Sequence, residues 1–290
     1  LFFSSSSFAA STLSKREWSV KRIQTMSNIL WYPKDSTVSA GETISLGEHT
    51  FKNLPDTPYR GVPYTQINRE TTYTVFQKKL TNIDGKYYYD KNSSSINGEL
   101  YGMDCSSAVC FAWRCGLAQN SNYSPYYDNF KNYHYVNGTK KYTIYGTRGL
   151  LYDAIHTSSG SSTYNNVTYY YRNDIQKVGS YTTATSDLYT PNILSRNGTT
   201  VMYNAYNQLK NGDALLYRYL NSSKKAVGHI CMVINHNSES KTITILEQLG
   251  YNYSNHSDGY TRSTWNKRTY TYEELYNKNY IPIRCIGLDS

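Results

Sequence analysis

Between Asp104 and Gly116 the apolar residues Ala108, Val109, Phe111, Ala112, Trp113 and Cys115 leave few polar faces, a pattern that predicts a central, buried helix opened at Asp104 and closed near Gly116. Downstream the period changes. Residues 214–220, 229–234 and 242–249 are apolar runs separated by turn-forming residues such as Asn211-Gly212-Asp213, and they predict an antiparallel meander. Residues 280–288 read as a closing strand, 272–276 and 71–80 as short helices, 87–98 as loop, and the polar run 262–272 predicts no element. Residues 1–50 show no strong periodicity around a basic segment from Lys15 to Arg22, which predicts a leader or poorly ordered arm ahead of a folded domain over 51–290. Within that domain, 118–203 is poor in aliphatic residues and rich in Tyr, Asn, Ser, Thr and Gly; it reads as a long, loop-heavy insertion with a helix near 149–155 and a strand at Tyr169-Tyr170-Tyr171. A helix followed by an antiparallel sheet predicts an α+β fold.

Composition narrows the partners. With 33 tyrosines and only 18 % charged residues, the surface is covered largely by neutral polar groups and tyrosine, which suits carbohydrate or cell-wall contact. The net charge of +9, from 30 Lys plus Arg against 21 Asp plus Glu, attracts polyanions through the summed field. The basic residues are scattered and no nucleic-acid motif is present, so nucleic acid is not an expected partner. Leu1-Phe2-Phe3, a serine run and Phe8-Ala9-Ala10-Ser11 resemble the tail of a signal peptide without its basic start, which points to a secreted or envelope location. No later stretch is long and apolar enough to cross a bilayer, and nothing in the sequence fixes an oligomeric state.

The five cysteines cannot all pair, and buried free thiols are expected for Cys110, Cys115, Cys231 and Cys285. Their spacing lacks paired zinc ligands, so neither a metal nor a cofactor is expected. Cys105 differs because it opens the central helix, where free N–H groups and the positive end of the helix dipole favour an anion. His229 starts a strand well downstream. A thiol becomes a strong nucleophile as the thiolate, and an imidazole can take its proton, so the two form a candidate nucleophile and base. The remaining histidines His49, His134, His156 and His256 lie in polar segments and are expected to be solvated, and Cys231, on the same face of its strand as His229, is expected to be a packed thiol.

Gly61-Val62-Pro63-Tyr64, then Asp104-Cys105-Ser106, then Gly212-Asp213 before Gly228-His229 resemble the NlpC-type cell-wall cysteine peptidases, and the stretch from His229 to Glu247-Gln248 resembles the related CHAP amidases, both of the papain-like superfamily. The resemblance covers roughly residues 55–117 and 205–290. It implies a papain-like domain in which Cys105 is the nucleophile, His229 the general base and later acid, and Glu247 the residue that orients the imidazole, with Gln248 and Asn252 as alternatives; His236, in a predicted turn, is not preferred. It further implies that Tyr64 and the Cys105 N–H form the oxyanion pocket and that Asp104 and Ser106 hold substrate amino or amide groups. The chain departs from the pattern at Ser107, where a glycine usually follows, and in the long separation of Cys105 from His229. The implied substrate is peptidoglycan stem peptide or another amide of the cell wall. Two alternatives stay open: thiol acyl transfer of the transglutaminase-like kind, and a glycan- or wall-binding protein on the same fold that uses the tyrosine-rich insertion.

Overall fold

The computed structural model describes residues 13–119, 132–136, 139–143, 146–164, 167–171, 173–250 and 262–290. Its elements are α1 (Lys15–Asn28), β1 (Leu30–Lys34), β2 (Thr43–Leu46), β3 (His49–Lys52), β4 (Tyr59–Arg60), α2 (Tyr73–Lys78), β5 (Leu80–Ile83), β6 (Lys86–Asp90), α3 (Cys105–Ala118), β7 (Asn132–Val136), β8 (Thr139–Thr143), α4 (Thr147–Ile155), β9 (Gly160–Tyr164), β10 (Val167–Tyr171), β11 (Ile175–Lys177), α5 (Thr190–Tyr206), β12 (Ala214–Leu220), β13 (Ala226–Asn237), β14 (Thr242–Gln248), β15 (Trp265–Thr271), α6 (Tyr272–Asn277) and β16 (Ile281–Cys285). The fold is α+β. A six-stranded sheet runs β11-β16-β12-β13-β14-β15 with every neighbouring pair antiparallel. A smaller sheet, β4-β1-β6-β5, stands upstream of α3 and includes the parallel pair β1/β6.

Helix α3 forms where the apolar pattern predicts and is buried from Ser106 to Gly116. It continues past Gly116 to a left-handed C-cap at Gln119. Gly116 serves packing instead of termination, because a Cβ there would lie 2.5 Å from the Lys15 carbonyl oxygen and push α1 off α3. The expectation of a poorly ordered arm over 1–50 therefore fails for 13–50. Helix α1 is opened by a capping box between Ser14 and Glu17 and buries Ile23 and Met26 in the core. Its apolar face is too narrow to announce itself in the sequence, since Ser19, Arg22 and Ser27 are buried beside those two. Residues 1–12, where the signal-peptide resemblance falls, lie outside the described residues.

The insertion over 118–203 is less loop-like than expected. Helix α4 and strand β10 form where the sequence predicts a helix and a strand, and the region further supplies the edge strand β11, paired with β16, and most of helix α5. Fully buried Asp153 of α4 accepts backbone N–H groups from Asn173, Asp174 and Ile175 at 2.7, 2.8 and 2.8 Å, which fixes the start of β11 to the helix. Helix α5 escapes the sequence reading because Asn, Thr and Tyr dominate it and Gly198, at φ 70°, breaks its run. Strand β15 escapes for a related reason: it is an edge strand with exposed Lys267, Arg268 and Thr269. No helix among the described residues is long and apolar enough to cross a membrane.

Gly212 and Asp213 join helix to sheet. Gly212, at φ 91°, gives its carbonyl to Trp113 Nε1 of α3 at 2.7 Å. Asp213 is wholly buried and binds Arg16 of α1 and Arg284 of β16 at 2.8 and 2.6 Å, and accepts the Lys210 N–H. Its place in the motif is structural. Replacing one member of a buried ion pair strands its partners, so Asp213→Ala should cost about 3 kcal/mol or more, read as a lower denaturation midpoint at an unchanged m-value. Unchanged stability would show that the Arg16 and Arg284 charges are held by other groups.

Candidate active site

The site is assembled on the extended segment that begins at Gly61. Gly61 has φ 85°, and a Cβ on it would lie 2.1 Å from the Trp265 ring, so glycine alone fits. Its carbonyl accepts Trp31 Nε1 at 2.9 Å, from the aromatic core where Trp31 packs against Phe51, Tyr59, Phe76 and Tyr89. The next carbonyl, Val62, accepts Trp265 Nε1 of β15 at 2.8 Å and Gln248 Nε2 of β14 at 2.9 Å. The Val62 N–H satisfies the Met26 carbonyl at the end of α1 at 2.9 Å. Beyond it Tyr64 pairs with Met103 as a parallel bridge, closed by Met103 N–H to Pro63 carbonyl at 3.1 Å and Thr65 N–H to Met103 carbonyl at 3.2 Å. Gly102 permits that approach, since a Cβ there would stand 2.1 Å from the Pro63 oxygen. Cys105 follows two residues after the bridge.

The first turn of α3 is capped with unusual completeness. Asp104 Oδ1 accepts the Ser107 N–H at 2.7 Å, while Ser107 Oγ accepts the Asp104 N–H at 2.8 Å. Ser106 Oγ donates to Asp104 Oδ1 at 2.8 Å, and Arg69 Nη1 reaches Asp104 Oδ2 and Ser106 Oγ at 2.8 and 3.1 Å. This explains Ser107, where the resembled families usually carry glycine: its hydroxyl is half of the capping box. Asp104 and Ser106 thus stand on either side of Cys105 with their polar atoms engaged inside the protein. Tyr64 is buried, and its hydroxyl accepts Gln66 Nε2 at 2.9 Å.

His229 lies on β13 opposite Tyr217 of β12. Its Nε2 is 2.8 Å from Glu247 Oε2, and Glu247 Oε1 accepts Asn266 Nδ2 from β15 at 3.0 Å. Cys105 is the other side chain whose interaction with His229 favours the imidazolium, so the thiol and the imidazole are neighbours. Burial works against the charge on His229, but the interactions with neighbouring Cys105 and with Glu247 outweigh it and raise its pKa from 6.5 to about 10. Glu247 is likewise penalised by burial, yet the bonds from His229 and Asn266 and the charge of Arg268 bring its pKa below the ordinary value. An imidazolium held between a carboxylate and a thiol sulfur is the combination that thiol chemistry requires.

The structure brings Cys105, His229 and Glu247 together, with Asp104 and Ser106 beside the thiol and Tyr64 bridged to Met103. Gln248 points to the opposite face of β14, toward Val62, as alternation along a strand dictates. Asn252 lies outside the described residues. His236 is bound to the Leu209 carbonyl at 2.9 Å and the Tyr272 hydroxyl at 2.7 Å. Sequence reasoning missed Asn266 and Arg69, which act by proximity alone. All five cysteines are free thiols; Cys105 is partly exposed and the other four are buried. Burial pushes the Cys231 thiol well above its ordinary pKa and keeps it protonated, as a packed thiol. His49 is buried against Phe51 and so is not solvated, whereas His156 is half-buried and stacks on Tyr171. The His134 side chain and His256 lie outside the described residues. No group of three or more His, Cys, Asp or Glu among the described residues is arranged to hold a metal ion.

No protein-family model, no curated protein and no solved structure matches the chain.

Because the fold holds the His229 proton more tightly than an unfolded chain does, this contribution to stability is complete below about pH 6.5 and is lost as pH rises toward about 10. Glu247→Gln keeps the shape and removes one of the two groups that raise the imidazole. Followed by NMR, His229 should then titrate at lower pH than in the wild-type chain; coincident titration curves would show that Glu247 does not hold the charge.

Proposed function

We propose that the protein is a papain-like cysteine hydrolase that cleaves amide bonds, with peptidoglycan stem peptides as its substrate class. The observation that carries the chemistry is the chain of contacts from Cys105 through His229 to Glu247, with the thiol at the first turn of a buried helix. The layout of one central helix before an antiparallel sheet supports the family reading, and the NlpC and CHAP resemblance supplies the substrate class.

In this reading the Cys105 thiolate adds to the substrate carbonyl carbon. The oxyanion that forms lies against the Cys105 backbone N–H, at the positive end of α3, and the Tyr64 hydroxyl. Collapse of the tetrahedral intermediate breaks the carbon–nitrogen bond while His229 Nδ1 gives its proton to the leaving amine. The timing is favourable. The imidazole holds its proton tightly while a thiolate faces it, and once sulfur carries the acyl group that attraction is gone, so His229 becomes a stronger acid as the amine needs the proton. Water then attacks the thioester, His229 accepts a proton from that water, and cleavage of the carbon–sulfur bond releases the acid and restores the thiolate beside the protonated imidazole. Glu247, itself held by Asn266, keeps the ring oriented and offsets its charge throughout.

Purified peptidoglycan fragments incubated with the protein, with products identified by mass spectrometry, should be cleaved at an amide bond. Cys105→Ala should reduce cleavage by about a thousandfold or more. Cleavage that persists in that variant rejects the mechanism, and a transferred amine in place of a free carboxylic acid, when an amine acceptor is added, assigns the chain to acyl transfer.

A further inference from the structure

A cavity of about 380 Å³ opens beside the imidazole, and its walls are formed by tyrosines and basic side chains. Tyr217 packs edge to face on Tyr280 with ring centroids 5.0 Å apart, and lies 5.6 Å from the His229 ring. Arg268 of β15 and Lys278, just past α6, both lie against the Tyr270 ring at 5.5 and 5.7 Å. Arg268 Nη1 also donates to the Tyr270 hydroxyl at 3.1 Å, which restrains the guanidinium at the wall. Among the described lining residues the one carboxylate is Glu247, and both its oxygens are taken, by His229 and by Asn266. Lys278 is exposed and makes no ion pair among the described residues. With His229 held by Glu247, Lys278 adds a positive charge to the lining that no carboxylate among the described residues meets.

We propose that this cavity is a subsite for a free carboxylate on the substrate, received between Arg268 and Lys278 while the amide bond lies at Cys105. The inference rests on the thiol-hydrolase reading for its place in a reaction, but the anion site stands on the lining alone. The tyrosine walls offer apolar faces to the stem of such a ligand, while Arg268 and Lys278, both exposed, meet its charge at the rim through an attraction that solvent screens. A guanidinium presents paired N–H groups that match the two oxygens of a carboxylate, and an ammonium on a flexible stem closes over the same charge. A carboxamide in the same place satisfies hydrogen bonds and leaves the Lys278 charge unmet.

Two measurements on the full chain test this. In the first, the Cys105→Ala protein is titrated with N-acetylglycine, N-acetylglycinamide and inorganic phosphate, followed by NMR. The acid should bind about five- to tenfold more tightly than the amide. Lys278→Met should remove about that factor, Lys278→Arg should restore it, and added salt should weaken it. Equal affinity for acid and amide, indifference to Lys278→Met, or tighter binding of phosphate than of the acid overturns the carboxylate subsite. In the second, Cys105 is alkylated in the otherwise unaltered chain by iodoacetate and by iodoacetamide, and the ratio of the two rates should fall several-fold in Lys278→Met. Rapid alkylation with a ratio indifferent to Lys278 rejects the subsite and leaves the hydrolase reading intact. A Cys105 inert to both reagents, with the acid still bound through Lys278, rejects the hydrolase reading and leaves the subsite.

Discussion

The carbonyl of Val62 accepts hydrogen bonds from Trp265 and Gln248, and through it the turn that carries Cys105 is held to the strands that carry His229 and Glu247. Val62 and its neighbours have little chemistry of their own. Their backbone joins three bodies: the end of α1 at the Val62 N–H, the N-terminal aromatic core at the Gly61 carbonyl, and the Cys105 turn at Pro63 and Thr65. A shift of the segment by one residue would leave buried donors on two tryptophans and a glutamine without acceptors, each at a cost of about 1–3 kcal/mol. The relative position of thiol and imidazole is therefore set by ordinary hydrogen bonds, well away from either group.

Electrostatics at the site follows from that rigidity. A buried imidazolium is expensive unless its charge is met, and here Glu247 meets it at Nε2 while the neighbouring Cys105 favours the same charge. Glu247 in turn is kept ionised against burial by Asn266 and Arg268. The charge of the next cavity extends the same theme, since Arg268 stands both near Glu247 and in the wall where Lys278 adds a second cation. The charge that helps keep Glu247 ionised and part of the positive lining of the cavity thus come from one side chain.

Much of this was legible in the sequence where a side chain's burial repeats with the period of its element. Helix α3, strands β12, β13 and β14 and the short α6 declare themselves because their apolar residues recur at helical or strand spacing. Helix α1, α5 and β15 do not, because Arg22 and Ser19 are buried in one, polar Asn and Thr fill another, and the third is an edge strand whose outer positions remain polar.

The sequence by itself determined the chemical elements of the site: a cysteine at a helix start, a histidine on a strand, an acid on the next strand and the glycines that let backbones meet. Spacing along the chain also placed Glu247 and Gln248 on opposite faces of β14, since neighbours in a strand point apart. Only the tertiary structure decided which of the two meets the histidine, that Gly212-Asp213 is a buried ion-pair hub, that Asn266 steadies the carboxylate, and that Arg268 and Lys278 share one cavity. The physical reason is that periodicity records how each residue relates to its own element, whereas hydrogen bonds and charges at the site depend on how separate elements pack, and no local pattern encodes the distance between residues so far apart in the chain.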